Sequence, residues 1–207
     1  MRALLVIDVQ PTFCEDGELG VSGGNEVATK IAAFVDKYRT NYQLIVTSQD
    51  WHIDPGTHFS SEPDFIDTWP PHGIAGSANA ELHPALVNVR ADITVKKGHY
   101  SAAYSAFEGI ADSGETRLSR EQVEQAHLAG RTLAPLLREA GITAIDVVGI
   151  AESHCVAATA LDARAAGWPV RCFSDLTVPV SEELGAAARK DMSAAGVTLC
   201  ESRLAFG

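Results

Sequence analysis

The chain of 207 residues has 46% hydrophobic and 21% charged residues, a balance typical of a folded protein, and its length fits one domain of roughly 100–200 residues. Its 16 Lys and Arg residues against 27 Asp and Glu residues give a formal charge of −11, which argues against nucleic acid or an anionic membrane as a partner. The sequence has neither a secretion-signal pattern nor an apolar run long enough to span a membrane, so we expect a single cytoplasmic domain over residues 1–207.

Short apolar segments alternate along the chain with segments of helical periodicity. The strands predicted from the apolar segments are, in chain order, residues 3–9, 43–47, 93–95, 144–150, 170–173 and 197–199. The predicted helices are residues 27–38, 117–140, 154–166 and 181–195. Near-continuous apolar strands that alternate with helices indicate a parallel sheet that is covered on both faces.

Residues 48–88 lack this periodicity and are rich in Pro, His, Gly, Asp and Trp. A loop longer than roughly 12–15 residues is uncommon in a compact domain unless it has a function. This segment follows the second predicted strand, and in open α/β sheets ligands bind outside the carboxyl ends of the strands. We therefore expect the functional site at that edge of the sheet.

Two reactive side chains lie where predicted strands end. Asp8 interrupts the apolar segment VIDVQ, and it is either a general base at a cleft or a residue that binds nearby backbone groups. Cys155 follows the strand DVVGI at the start of a predicted helix, where the helix dipole and free N–H groups would lower the pKa of its thiol and could hold an oxyanion. Ordinary packing is the alternative for Cys155, and Cys14 is a second candidate nucleophile.

Lys96 and Lys97 continue the third predicted strand directly after its apolar residues 93–95. Neighbouring side chains of a strand point to opposite faces, so one of these lysines would face the site, and the sequence leaves open which one. A lysine beside a cysteine would favour the thiolate.

The long loop carries a possible metal-binding set that consists of Asp50, His52, His58 and His72. One carboxylate and three imidazoles suit Zn²⁺, Fe²⁺ or Mn²⁺. The alternative is that these histidines are simply exposed to solvent.

Three aromatic residues, Phe13, Trp69 and Tyr104, fall in loops that follow predicted strands. They could enclose a flat aromatic ligand, or they could pack the loops together. The sequence alone leaves both interpretations open.

Taken together, Asp8, Lys97, Cys155 and the loop that begins Asp50-x-His52 resemble the nicotinamidase/pyrazinamidase family, which comprises cysteine amidohydrolases of the isochorismatase-like superfamily. The resemblance covers nearly the whole chain. Its motifs are, in chain order, ALLVIDVQPTFCEDGELGVSGG, QDWHIDPGTHFS, WPPHGIAGSANAELHP, KKGHYSAAYSAFEG and GIAESHCVAATALDARAAG.

The resemblance implies an α/β fold, a three-layer α/β/α sandwich with a six-stranded, mainly parallel sheet. It implies that a triad of Asp8, Lys97 and Cys155 hydrolyses nicotinamide to nicotinate and ammonia, and pyrazinamide to pyrazinoate, through a cysteine thioester in NAD salvage. It also implies a cis peptide bond between Ile150 and Ala151.

The same resemblance implies the remaining site residues and partners. One divalent metal ion (Zn, Fe or Mn) would bind to Asp50, His52, His58 and His72. The backbone N–H groups of Ala151 and Cys155 would form the oxyanion hole. The substrate pocket would be lined by Phe13, Trp69, Tyr104 and Ile150. The expected partner is a small aromatic amide, with no nucleic acid and no membrane, and the protein would be a monomer or a homo-oligomer.

Two features depart from the family pattern. Glu152 and Ser153 stand where the family usually has Thr-Asp, which changes the hydrogen-bonding groups next to Cys155. Residues 111–131 form a longer and more charged stretch than in relatives, and we expect a surface extension of the helix there.

Three other interpretations remain open at this stage. Another hydrolase of the superfamily would generally lack the Asp-x-His loop that this chain has. A non-catalytic metal-binding scaffold would be expected to lose at least one of Asp8, Lys97 and Cys155. A plain zinc hydrolase, in which a metal-bound water attacks, would leave Cys155 dispensable.

Overall fold

A seven-stranded sheet forms the centre of the computed structural model, which describes residues 1–206. The strands are β1 (Arg2–Ile7), β2 (Leu44–Asp50), β3 (Ile93–Lys97), β4 (Ile110–Ala111), β5 (Ala144–Ile150), β6 (Val170–Val178) and β7 (Thr198–Cys200). Their order is β4-β3-β2-β1-β5-β6-β7, and all neighbours are parallel except β3 and β4. The expected count of six was one too low, because β4 is a two-residue edge strand that is too short to show any periodicity.

The central strand β1 shows how the sequence builds both faces of the sheet. Ala3, Leu5 and Ile7 belong to one apolar cluster, whereas Leu4 and Val6 belong to the cluster on the other face. All five side chains are fully buried. A strand that is apolar at every position therefore has a core on each side, as the sequence predicts for a parallel sheet.

Five α-helices accompany the sheet: α1 (Gly24–Tyr38), α2 (Arg120–Leu128), α3 (Leu133–Glu139), α4 (Ala157–Ala165) and α5 (Glu182–Ala194). Helix α1 covers one face through Val27, Ile31 and Phe34, which recur at helical spacing. Residues of α3, α4 and α5 belong to the cluster on the opposite face, so the protein has the three layers of an α/β/α sandwich. Among residues 1–206, no helix combines the length and the apolar character that a membrane crossing requires.

The single helix predicted over residues 117–140 is wrong, because the structure divides it into α2 and α3. Gly130 adopts a φ of 71° between the two helices, a conformation that glycine adopts without a steric penalty. Just beyond this turn, the Arg131 carbonyl accepts a hydrogen bond from the Ala111 N–H, which ties the turn to β4. Side-chain periodicity could not reveal this break, since both halves continue a helical pattern.

The charged stretch 111–131 is also more than a surface extension of a helix. It begins in β4, and α2 occupies only its second half. The carbonyls of Thr116 and Leu118 accept hydrogen bonds from Trp51 Nε1 and the Tyr100 hydroxyl at 2.8 and 2.7 Å. The stretch therefore packs against the loops that leave β2 and β3.

Candidate active site

The site lies where four parallel strands end. Asp8 follows β1, Asp50 is the last residue of β2, Lys97 is the last residue of β3, and Ala151 follows β5. Because these strands are parallel neighbours, their carboxyl ends meet at the same edge of the sheet. The peptide bond between Ile150 and Ala151 is cis, as the resemblance implies.

Lys97 is at the centre of the site and is fully buried. Its Nζ lies 3.0 Å from Asp8 Oδ2 and donates hydrogen bonds to Asp50 Oδ1 and, at 3.2 Å, to the Ala103 carbonyl. It also lies 3.7 Å from the Sγ atom of Cys155. Both buried carboxylates raise the pKa of Lys97 well above its usual value against the opposing effect of burial, so the ammonium stays charged.

Lys96 points to the other face of β3, away from this group. Its Nζ lies 3.2 Å from Asp112 Oδ1 and 3.7 Å from the centroid of the Trp51 ring. The structure thus settles which of the two lysines faces the cleft.

Asp8 is a fully buried carboxylate beside the thiol. Ser48 Oγ donates a hydrogen bond to Asp8 Oδ1 at 2.6 Å, and Asp8 shares Lys97 with the thiol, because Lys97 Nζ lies 3.0 Å from Asp8 Oδ2 and 3.7 Å from Cys155 Sγ. Burial raises the pKa of Asp8, although Lys97 and Ser48 act in the opposite direction. A carboxylate with a raised pKa accepts a proton more readily than an exposed one, which suits a general base.

Cys155 lies in a π-helical segment, Glu152–Val156, that leads into α4. The expectation of a lowered thiol pKa is wrong: burial raises the pKa of Cys155 well above its usual value, and Lys97 lowers it only in part. The residue is 7% exposed and its Sγ lies 3.7 Å from Lys97 Nζ, so the desolvation of the thiolate outweighs the attraction of the ammonium. A resting thiol of this kind requires a base to become a nucleophile.

Two other cysteines occupy apolar surroundings. Cys14 packs in the cluster around α1, and burial raises the pKa of its thiol to about 11. Cys172 is fully buried in β6, and burial raises its pKa as well. Neither environment favours a thiolate.

Three buried histidines form a cluster beside the lysine. His52, His58 and His72 each offer one ring nitrogen, and these atoms lie within 4.8 Å of one another. Asp50 Oδ2 lies 3.5 Å from Nε2 of His52 and from Nε2 of His72. The four residues that the sequence suggested are therefore brought together.

The orientation of the rings suits a metal ion. Nδ1 of His52 is hydrogen-bonded to the Gly98 carbonyl at 2.6 Å, and Nδ1 of His72 to the Pro70 carbonyl at 2.8 Å, which leaves both Nε2 atoms facing the cluster. Within residues 1–206, His52 Nε2 and His58 Nδ1 are buried without a hydrogen-bond partner. Burial and the neighbouring imidazoles lower the pKa of His58 to about 4, so its ring is neutral and keeps a lone pair for a cation. The donor set thus fits a divalent transition metal.

A cavity of about 630 Å³ opens onto this arrangement. Its inner part is bordered by Asp50, His58, His72, Ala151 and Cys155, and its outer part by Phe13, Trp69 and the loop that contains residues 15–22. The lining is mostly apolar, with a few polar groups at one end, which is typical of a site for a small organic molecule.

Of the four residues expected to line the substrate pocket, two border the cavity and two do not. Phe13 and Trp69 border the cavity. Tyr104 acts indirectly, because its hydroxyl accepts a hydrogen bond from Trp69 Nε1 at 3.0 Å and so stabilises the position of Trp69. Ile150 is fully buried in the apolar cluster on the α1 side and is not among the described residues that border the cavity.

Sequence reasoning missed His154 as a wall of the cavity. Its ring stacks on Tyr104 with centroids 6.3 Å apart and meets the edge of Trp69 at 5.7 Å. His154 directly precedes Cys155, and because neighbouring side chains of a helix diverge, it is a weak candidate for a partner of the thiol. Its position directly before the cysteine was the one available signal.

The site therefore combines a buried aspartate, lysine and cysteine with a cluster of three histidines on an α/β/α fold. The Isochorismatase domain family matches residues 2–203, and this chain belongs to that family.

Similar proteins with known names support this placement. The chain is 40% identical over 203 residues to the nicotinamidase/pyrazinamidase of Mycobacterium tuberculosis, covering 98% of this chain and 100% of that one. It is 31% identical over 216 residues to the nicotinamidase of Escherichia coli, covering 96% and 93% of the two chains.

Two solved structures share the fold at high coverage. The L. infantum protein PnC1 in complex with nicotinate has a TM-score of 0.77 at 31% identity, with 98% of this chain and 93% of that chain covered. The pyrazinamidase of Pyrococcus horikoshii in complex with zinc has a TM-score of 0.71 at 28% identity, with 97% and 98% covered.

Proposed function

We propose that this protein is a nicotinamidase that hydrolyses nicotinamide to nicotinate and ammonia, and pyrazinamide to pyrazinoate. The observation that carries the proposal is the buried ammonium of Lys97, which lies between Asp8, Asp50 and Cys155 at the end of an apolar cavity beside three histidines. Relatives that bear the name of this activity are up to 40% identical to the chain, and they support the same substrate class. The proposed setting is NAD salvage in the cytoplasm, by a single domain that acts alone or as a homo-oligomer.

In the first half of the proposed reaction, Asp8 takes the proton from the Cys155 thiol, and Sγ attacks the carboxamide carbon. Lys97 stabilises the negative charge of the thiolate, which burial would otherwise disfavour. The tetrahedral oxyanion accepts hydrogen bonds from the backbone N–H groups of Ala151 and Cys155, which both border the cavity.

The intermediate then collapses, the C–N bond breaks, and the protonated Asp8 gives its proton to the departing ammonia. Water attacks the thioester that remains on Cys155, Asp8 accepts a proton from this water, and the C–S bond breaks to release the carboxylic acid, whose remaining proton passes through solvent to ammonia to give carboxylate and ammonium. Asp8 returns the proton to the sulfur, so the enzyme regains its resting state. Division of amide hydrolysis into two steps is what a covalent nucleophile contributes.

Asp50, His52, His58 and His72 are the proposed ligands of a divalent ion, with zinc, iron and manganese as candidates. When bound, such an ion supplies a coordination position for the ring nitrogen of a pyridine or pyrazine, which is a positioning role. Phe13 and Trp69 flank the ring in the outer cavity, and Tyr104 holds Trp69 in place. These contacts orient the carboxamide towards Cys155.

An ammonia-release assay with nicotinamide and pyrazinamide, combined with metal analysis of the same sample, tests the proposal. We expect release of one ammonia per aromatic acid formed and about one divalent ion per chain. Absence of release from both amides by a metal-loaded sample would exclude the proposed function.

A further inference from the structure

The segment between Ala151 and Cys155 carries a buried carboxylate that the proposed reaction does not use. Glu152 is 2% exposed and is not among the described residues that border the cavity. Its Oε2 accepts a hydrogen bond from Nη1 of Arg189 at 2.6 Å, and its Oε1 accepts one from Thr177 Oγ1 at 3.3 Å. Burial of a carboxylate costs free energy unless the group is paired, so the partners of Glu152 indicate its role.

The next residue is tied to the same side of the fold. Ser153 Oγ accepts a hydrogen bond from the Val180 N–H at 3.1 Å and lies 2.9 Å from Nδ1 of His154. The partners of residues 152 and 153 thus come from the end of β6, from the loop after it, and from α5. Together these contacts attach the segment to a single neighbouring unit of the fold.

Arg189 has a second carboxylate partner of a different kind. Its Nη2 binds Oε1 of Glu182, whose side chain is 84% exposed, whereas that of Glu152 is 2% exposed. Exposed ion pairs contribute little, whereas a buried pair fixes its partners in one geometry. The contact with Glu152 is therefore the one that we expect to fix the position of Arg189 relative to the segment.

We infer that Glu152 is a positioning residue that, through Arg189, holds the segment between Ala151 and Cys155 against α5 and so places the oxyanion donors. The inference rests on the proposed function for its catalytic readout. The donors must meet a developing charge within a few tenths of an ångström, so a loosened segment slows the reaction more than it weakens binding.

Substitution of either partner tests the inference. In E152Q and R189Q we expect kcat for nicotinamide hydrolysis to fall about tenfold or more, with KM changed by less than about twofold. The double variant should be no slower than the slower single variant, because both remove the same contact. E182Q, which removes only the exposed partner of Arg189, is the matched control and should keep the wild-type kcat.

Amide hydrogen exchange provides a readout that does not depend on the substrate. Peptides that span residues 151–157 should exchange faster in E152Q and R189Q than in the wild type and in E182Q. Wild-type kcat and wild-type exchange in both variants would overturn the inference. If the wild type releases no ammonia from nicotinamide, the proposed function fails, and the exchange comparison alone decides on the positioning role. If E152Q and R189Q do not fold, R189K, which keeps the charge without the planar fork, takes their place in both measurements.

Discussion

Lys97 is the residue that connects the two halves of the candidate site. It contacts the proposed base Asp8 on one side and the proposed metal ligand Asp50 on the other, with Cys155 3.7 Å from its Nζ. The sequence predicted that a lysine of this strand would be involved, but strand alternation says only that Lys96 and Lys97 point in opposite directions. The choice between them depends on which face of β3 meets the ends of β1 and β2, and this is a property of the assembled sheet.

At the same scale, we expect Cys155→Ala to reduce the rate of ammonia release by at least about a thousandfold, because Cys155 is the one cysteine within the described residues whose sulfur contacts Lys97. The fold and the metal content should be unchanged. Ammonia release, circular dichroism and metal analysis on one preparation check this. Cys200→Ala is the control, since Cys200 is on the edge strand β7, and a C155A variant with substantial activity would favour attack by a metal-bound water instead.

The cluster of three histidines with Asp50 gives a second prediction for single residues. His52→Ala removes a donor whose other ring nitrogen is fixed by the Gly98 carbonyl, so we expect the bound divalent ion to fall to trace amounts and KM for nicotinamide to rise. Elemental analysis after gel filtration measures the first effect. His83→Ala is the control, because His83 binds Asn25 outside the cluster. Retention of a full equivalent of metal in H52A would exclude His52 as a ligand.

At the scale of elements, the sequence predicted the fold well where periodicity was strong. All six predicted strands are present, and β5 has the predicted bounds. The unpredicted features arise from contacts between elements. The short strand β4 exists because it pairs with β3, and the break between α2 and α3 is held by the contact of Arg131 with Ala111. The walls of the cavity likewise come from loops far apart in the chain, and their meeting could not be inferred from spacing.

Strand β5 also gives a prediction about stability. Asp146 is fully buried and accepts hydrogen bonds from Arg2, Arg171 and the Tyr42 hydroxyl, which joins β5 to three other parts of the chain. Asp146→Ala leaves these donors without their shared acceptor, so we expect the free energy of unfolding to fall by about 3–5 kcal/mol. Urea unfolding measures this.

The matched control for D146A is an exposed ion pair on α1. Glu26 Oε1 and Lys30 Nζ are 2.7 Å apart, and both side chains are largely exposed. Glu26→Ala should therefore lower the free energy of unfolding by no more than about 0.5 kcal/mol. Equal effects of the two substitutions would contradict the structural role assigned to Asp146. The folded D146A variant should keep its kcat, because Asp146 lies in the first half of β5 and the site lies beyond its end.

At the scale of the whole molecule, the proposed metal ligands join the end of β2 to the loop that follows it. The three histidines and Asp50 are buried together, and metal would bind to this arrangement only in the folded chain. We expect Tm to rise with the concentration of added Zn²⁺ or Mn²⁺, by an amount that corresponds to about 2.7 kcal/mol at 100 times Kd. Differential scanning fluorimetry of chelator-treated protein measures the shift, and an identical shift in H52A would argue against binding at this cluster.

The central position of β1 has a consequence for how the chain reaches its native state. Ala3 pairs with Leu44 on one side and with Ile145 on the other, so β1 leaves the ribosome long before its second neighbour, β5, has been made. Translation at roughly 5–20 residues per second leaves that apolar edge without its partner on the order of ten seconds. Nascent chains of this protein therefore carry an unpaired, apolar strand edge until β5 has been made, because β2 pairs with the opposite edge of β1.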